Sequence, residues 1–202
     1  MWNFLSVHAL DLLGTLVGLV YIYQEYKASI YLWITGIIMP AIYIFVYWEA
    51  GLYADFGMSV YYVLAAAYGF LSWKFLKKKD TVVAGERPIT HFPKRLILPS
   101  VLVFAMLWGA IYWVLAQFTN STVPIFDSWG NALSIIGLWA LAKKYLEQWY
   151  IWIAVDAELS ILYVYKELPF TGVLYALYVV IAIAGVFKWR KIMKEQQPNL
   201  SL

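Results

Sequence analysis

Trp149, Trp152, Asp156, Ser160 and Tyr163 fall at i, i+3, i+7, i+11 and i+14, the spacing of one helical stripe. The apolar run that holds them, about 149–165, is long enough to cross a bilayer. A carboxylate at membrane depth costs roughly 3 kcal/mol on insertion scales, so Asp156 needs a partner or a job. It lies seven residues into the run, roughly 10 Å along a helix and near the midplane. Indole faces stack on flat rings and attract positive charge, and a carboxylate orients a cation. The stripe therefore suits a flat cationic or heteroaromatic solute. The plainer alternatives are an interfacial aromatic belt for Trp149 and a structural hydrogen bond for Asp156. Glu158, a further candidate, projects roughly opposite the stripe at about 100° per residue, so it is expected to face another helix or to be protonated.

Further candidates lie on other runs. Asp55, Ser59, Tyr62, Ala66, Gly69 and Trp73 share one face, and Thr171, Tyr175, Tyr178, Ala182, Gly185 and Trp189 share another. The small residues read as close helix packing. The hydroxyls of Ser59, Tyr62, Tyr175 and Tyr178 are candidates for solute binding. Asn131 is either an inward hydrogen-bonding group or helix glue, and Asp11 and Asp127 stand where a carboxylate can cap a helix. There is no Ser-His-Asp arrangement, no Gly-rich phosphate cradle and no set of side chains at metal-ligand spacing. With no cysteine and two histidines, His8 and His91, neither an enzyme nor a metal or other cofactor is expected. The lack of an ATP-binding motif favours passive passage over pumping.

The elements that must position these groups repeat. At a fixed offset of 116 residues, Asp11 pairs with Asp127, Gly14 with Gly130, Lys27 with Lys143, Trp33 with Trp149, Tyr47 with Tyr163, Leu52 with Leu168, Tyr62 with Tyr178, Gly69 with Gly185 and Trp73 with Trp189. Pro40 occupies the counterpart of Asp156 and is expected to kink its helix. The chain is 63% hydrophobic and 13% charged, far from the soluble balance of about 25% charged. Seven spans can be drawn at about 5–24, 30–48, 55–75, 96–118, 128–143, 149–165 and 171–189. This predicts an all-α membrane protein of seven transmembrane helices in a 3+1+3 arrangement. The offset crosses four spans, an even number, so the repeats are expected to be parallel, with the solute between them.

The expected organisation is a first three-helix repeat over 1–76, a cytoplasmic basic loop over 77–95, a connector helix over 96–118, a second repeat over 119–191 and a cytoplasmic tail over 192–202. Of the fifteen Lys and Arg residues, all but Lys166 fall on one side of the membrane. That side is expected to be cytoplasmic, with the amino terminus outside and the carboxy terminus inside. No n-region or cleavage site of a signal peptide is read in the first residues. Topology already accounts for the basic residues, so no nucleic-acid partner is expected.

Gly51-Leu52-Tyr53-Ala54-Asp55, Tyr68-Gly69-Phe70-Leu71-Ser72-Trp73, Lys143-Lys144-Tyr145-Leu146-Glu147-Gln148-Trp149-Tyr150-Ile151-Trp152 and Leu174-Tyr175-Ala176-Leu177-Tyr178 together resemble the Pnu vitamin transporters, over nearly the whole chain. The resemblance implies a seven-helix facilitator in the bacterial inner membrane, carrying a vitamin precursor that a cytoplasmic kinase then traps by phosphorylation. Homo-oligomerisation is left open. Relatives of the riboside type usually carry Gln at the position of Ser59 and often Asn at that of Asp156, and this departure points to the thiamin branch. Nicotinamide riboside is the alternative substrate, and a non-transporting membrane enzyme or scaffold is the alternative of another class.

Overall fold

A computed structural model describes residues 13, 16–49, 51, 53–75, 87–119, 121–166 and 169–196, without the side chains of 53–55, 169 and 170. Asp11, Gly14, Leu52, the Lys77–Lys79 run and Leu168 lie outside the described residues, as does the side chain of Asp55. Seven helices are present among the described residues: α1 (16–26), α2 (Tyr31–Glu49), α3 (Tyr53–Phe75), α4 (Ile97–Phe118), α5 (Pro124–Ala142), α6 (Gln148–Tyr165) and α7 (Pro169–Gln196). A short 3-10 turn, Lys94–Leu96, leads into α4. The described helices α2, α3, α4, α5 and α7 contain stretches long and apolar enough to cross a membrane. α6 is not among these five, because Asp156 and Glu158 dilute its apolar run.

The chain divides into two compact units, Met1–Arg87 and Pro88–Leu202. In the first, α2 packs on α3. The Tyr21 ring would come within 3.1 Å of a Cβ at Gly36, and the Thr35 hydroxyl donates to Gln24 Oε1 at 2.7 Å, so α1 lies against α2. α2 runs unbroken through Pro40.

In the second unit α4 packs on α5, α5 on α6 and α6 on α7. Pro124 opens α5 at a position where its missing N–H costs nothing. Trp108 Nε1 donates to the Ile125 carbonyl at 3.2 Å, tying α4 to the start of α5. No residue of α4 is buried, and its exposed Leu98, Val101, Met106 and Trp113 are side chains suited to lipid.

The two units contain the same turn, with the same hydrogen bonds. Ala28 and Lys144 take left-handed backbone at φ 53° and 54°, a conformation that costs a non-glycine residue roughly 1–2 kcal/mol. In the first unit Ala28 N–H donates to Glu25 O and Ser29 N–H to Gln24 O, both at 2.9 Å. In the second Lys144 N–H donates to Leu141 O at 2.8 Å and Tyr145 N–H to Ala140 O at 3.0 Å. This pair of bonds closes a helix by reclaiming its last free carbonyls, and it offsets the strain at Ala28 and Lys144.

The seams repeat as well. Trp33 meets Trp73 edge-on at 5.6 Å and 89°, and Trp149 meets Trp189 at 5.6 Å and 88°. All four indoles are at most 1% exposed. Trp33 lies on Gly69 and Trp149 on Gly185, so closely that a Cβ there would fall 2.5 and 2.6 Å from ring atoms. One seam is exchanged rather than repeated. Gly36 on α2 accepts Tyr21 of α1, whereas Gly137 on α5 accepts Trp152 of α6, so small and large residues trade places.

Residues 88–93, the described end of the expected basic loop, are tied to the α5–α6 turn. Thr90 pairs in parallel with Tyr145: its N–H donates to Lys144 O at 3.1 Å, and its carbonyl accepts from Leu146 N–H at 2.9 Å. Glu147 accepts from the Phe92 N–H and meets His91 Nδ1, each at 2.7 Å. The Phe92 ring packs edge-on against Trp139 and Tyr145. A backbone carbonyl left outside helix by the turn at Lys144, together with a nearby carboxylate, draws this strap onto the α5–α6 turn.

Candidate functional site

α6 presents different faces to α5 and α7, and the expected stripe is shared between them. Trp149 is wholly taken up by Trp189 and Gly185 in the α6–α7 seam, so its position is that of a packing wedge. Trp152 points toward α5 and lies within 3.4 Å of a Cβ placed at Gly137. Its indole Nε1 is buried without a hydrogen-bond partner among the described residues. Ser160 donates to the Gly172 carbonyl at 2.8 Å. With Val164 pressed against Gly172, that bond fastens the far ends of α6 and α7.

Asp156 is 7% exposed and acts electrostatically on Tyr175 and Tyr178 of α7. Tyr163 stacks on Tyr175 at 5.2 Å and 20°, and Tyr175 meets Tyr178 edge-on at 5.6 Å and 78°. The structure thus brings Asp156 together with Tyr175 and Tyr178 and adds Tyr163, which supplies an aromatic ladder beside a carboxylate between two membrane helices. Such an arrangement can stack a flat ring, attract its positive charge and hydrogen-bond its substituents.

Glu158 faces away from this group. Its Oε2 lies 2.9 Å from where a Cβ on Gly130 of α5 would stand, and both carboxylate oxygens are buried without a hydrogen bond among the described residues. The charges acting on it are Asp127 and Lys166. Those two form an ion pair at 2.8 Å, and Ser121 Oγ donates to the other oxygen of Asp127 at 2.6 Å. Asp127 was expected to cap α5; instead the N-cap residue is Val123, with no side-chain cap bond, and the Asp127 carboxylate is engaged by Ser121 and Lys166. Lys166 is held by that pairing. Asn131 donates to the Asp127 carbonyl one turn back at 2.7 Å, a bond within α5.

Ser59 and Tyr62 belong to the first unit. Ser59 is buried, and Tyr62 meets Tyr61 edge-on at 5.5 Å. Gln148 did not emerge as a candidate from residue types, yet it is fully buried with both amide atoms unpartnered among the described residues. A signal was present: its counterpart in the first repeat is Leu32, also fully buried.

A curated protein of Escherichia coli (strain K12), named nicotinamide riboside transporter PnuC, is 21% identical over 93% of this chain and 87% of its own length. A protein of the same name from Shigella flexneri matches to the same extent. A solved structure described as the crystal structure of the vitamin B3 transporter PnuC has a TM-score of 0.67 at 21% identity, covering 90% of this chain and 80% of that one. At that identity the likeness speaks for the all-helical fold alone. The family profile described as nicotinamide mononucleotide transporter matches residues 8–191, nearly the whole chain, and the protein belongs to that family of multi-pass membrane transporters.

Proposed function

We propose that this protein is a facilitator for nicotinamide riboside, a cationic pyridine nucleoside, with the solute held between α6 and α7. The observation that carries the reading of a cationic aromatic solute is Asp156, buried beside the Tyr163–Tyr175–Tyr178 ladder. A carboxylate so placed balances the charge of a pyridinium ring, and the tyrosines offer faces to stack on and hydroxyls for a ribose or carboxamide. The names of both curated relatives support this substrate over thiamin, which the sequence alone favoured.

Thiamin remains the second reading, on one specific ground: its thiazolium is a fixed cation and its aminopyrimidine is a direct partner for a carboxylate such as Asp156. In either case we infer downhill entry across the bacterial inner membrane and retention through phosphorylation by a cytoplasmic kinase. The proposed topology places the amino terminus outside, with two parallel three-helix repeats around α4 and the boundaries expected from sequence. Its support is the distribution of the basic residues and the recurrence, in each unit, of one turn and one Trp–Trp–Gly seam.

Thermal unfolding of the purified protein with each vitamin tests the substrate order. A midpoint raised most by nicotinamide riboside supports the first reading, and one raised most by thiamin replaces it with the second. A midpoint moved by neither favours the scaffold or enzyme class.

A further inference from the structure

Gln148 opens α6 with a side chain that is 0% exposed, and neither Nε2 nor Oε1 has a hydrogen-bond partner among the described residues. A buried amide without hydrogen-bond partners is destabilising. The duplication supplies an internal control. Leu32 holds the same place in the first repeat, one residue before the equivalent tryptophan, and is also 0% exposed. The local turn is the same in both copies, so this site in the fold accepts an apolar side chain, and in the second copy an amide stands there instead.

The position of Gln148 on α6 is informative. At 100° per residue, Trp152, Tyr163 and Asp156 all fall within about 80° of Gln148, so it stands at the end of the same stripe, beside the α5–α6 turn. Trp152 Nε1, one turn along, is likewise buried and unpartnered. Trp33 Nε1 and Trp149 Nε1 are unpartnered too among the described residues, inside the packed seams, so what sets this place apart is the amide of Gln148, with an acceptor and two donors buried together where the first copy has a leucine.

We propose that Gln148 is a further substrate-recognising residue. When the α5–α6 end of the path opens, its amide hydrogen-bonds the donor–acceptor edge of a carboxamide or aminopyrimidine moving on from Asp156. A glutamine amide offers one acceptor and two donors, the complement of either edge. The inference rests on the transport reading above and extends it by one residue and one chemical class of contact.

The test is uptake of labelled nicotinamide riboside and thiamin into proteoliposomes holding the wild-type protein, Gln148→Leu or Gln148→Met, with thermal unfolding of each. Both variants should melt at or above wild type, Gln148→Leu by about 2–4 °C, while the uptake KM for the carried vitamin rises about tenfold, the size of one lost hydrogen bond. Unchanged uptake in stabilised variants would show an idle amide and overturn the inference. So would a fall in Vmax with KM held, or midpoints below wild type in both variants, which would give Gln148 a structural partner. Failure of the wild type to carry either vitamin removes the transport reading itself, and this inference with it.

Discussion

Trp149 stands edge-on to Trp189 with ring centroids 5.6 Å apart, and both rings are shut off from solvent. Gly185 lets the Trp149 indole lie directly on the α7 backbone. Gly185→Ala must displace a ring held on its other side by Trp189, so it should destabilise the protein by about 1–3 kcal/mol. Gly69→Ala should do the same through Trp33 and Trp73. Chemical unfolding in detergent measures both. A stability change in only one variant would mean that the two seams are not equivalent.

The ion pair of Asp127 and Lys166 fastens the start of α5 to the end of α6. Its side chains are 21% and 29% exposed, between the surface case, where pairs contribute little, and the fully buried one. A double-mutant cycle with Asp127→Asn and Lys166→Met should return a coupling of about 1–2 kcal/mol. Lys166→Met alone should be the more damaging single change, since it leaves Asp127 without its cation close to the buried Glu158. Additive effects of the two substitutions would contradict the pairing.

Asp156→Ala removes the charge and both accepting oxygens. Affinity for a cationic vitamin should drop about tenfold or more, as expected for a charge-assisted contact at a buried carboxylate. Binding is read by calorimetry or ligand-induced stabilisation. If both vitamins bind the variant as well as they bind wild type, the carboxylate does not face the solute.

Glu147 holds the strap before α4 through His91 and the Phe92 N–H. Glu147→Ala should cost about 1–2 kcal/mol and should speed amide exchange at Phe92, with uptake per folded molecule retained. Protection at Phe92 equal to wild type would mean that the Thr90 pairing and the Phe92 ring hold the strap unaided.

Much of the helical plan can be read in the sequence, because apolar runs of membrane length have few other uses and the repeat offset aligns them without gaps. The Trp–Trp–Gly seams are foreshadowed by the paired Trp33/Trp149, Gly69/Gly185 and Trp73/Trp189. What periodicity could not reveal is which neighbour each face of α6 meets. It groups Trp149, Trp152 and Asp156 in one stripe, yet α5 and α7 divide that stripe between them, so Trp149 goes into a seam and Asp156 joins the tyrosines of α7. The turns at Ala28 and Lys144 were also hidden, since left-handed backbone is usually signalled by glycine or asparagine. The binding of Ile89–Phe92 to the α5–α6 turn depends on Glu147 and on carbonyls freed by tertiary structure, and no local pattern announces such a contact. Gln148 was legible only by comparing the two copies residue by residue.

Uptake into proteoliposomes tests the central claim most directly. Labelled nicotinamide riboside is offered to vesicles with no gradient, with a proton gradient and with a sodium gradient, in competition with unlabelled thiamin. The account predicts entry that stops at equal concentrations inside and outside under all three conditions, strong self-competition, weaker competition by thiamin, and loss of entry in Asp156→Ala. Accumulation above the outside concentration under either gradient would contradict a facilitator, and entry that thiamin blocks better than the riboside itself would contradict the proposed substrate.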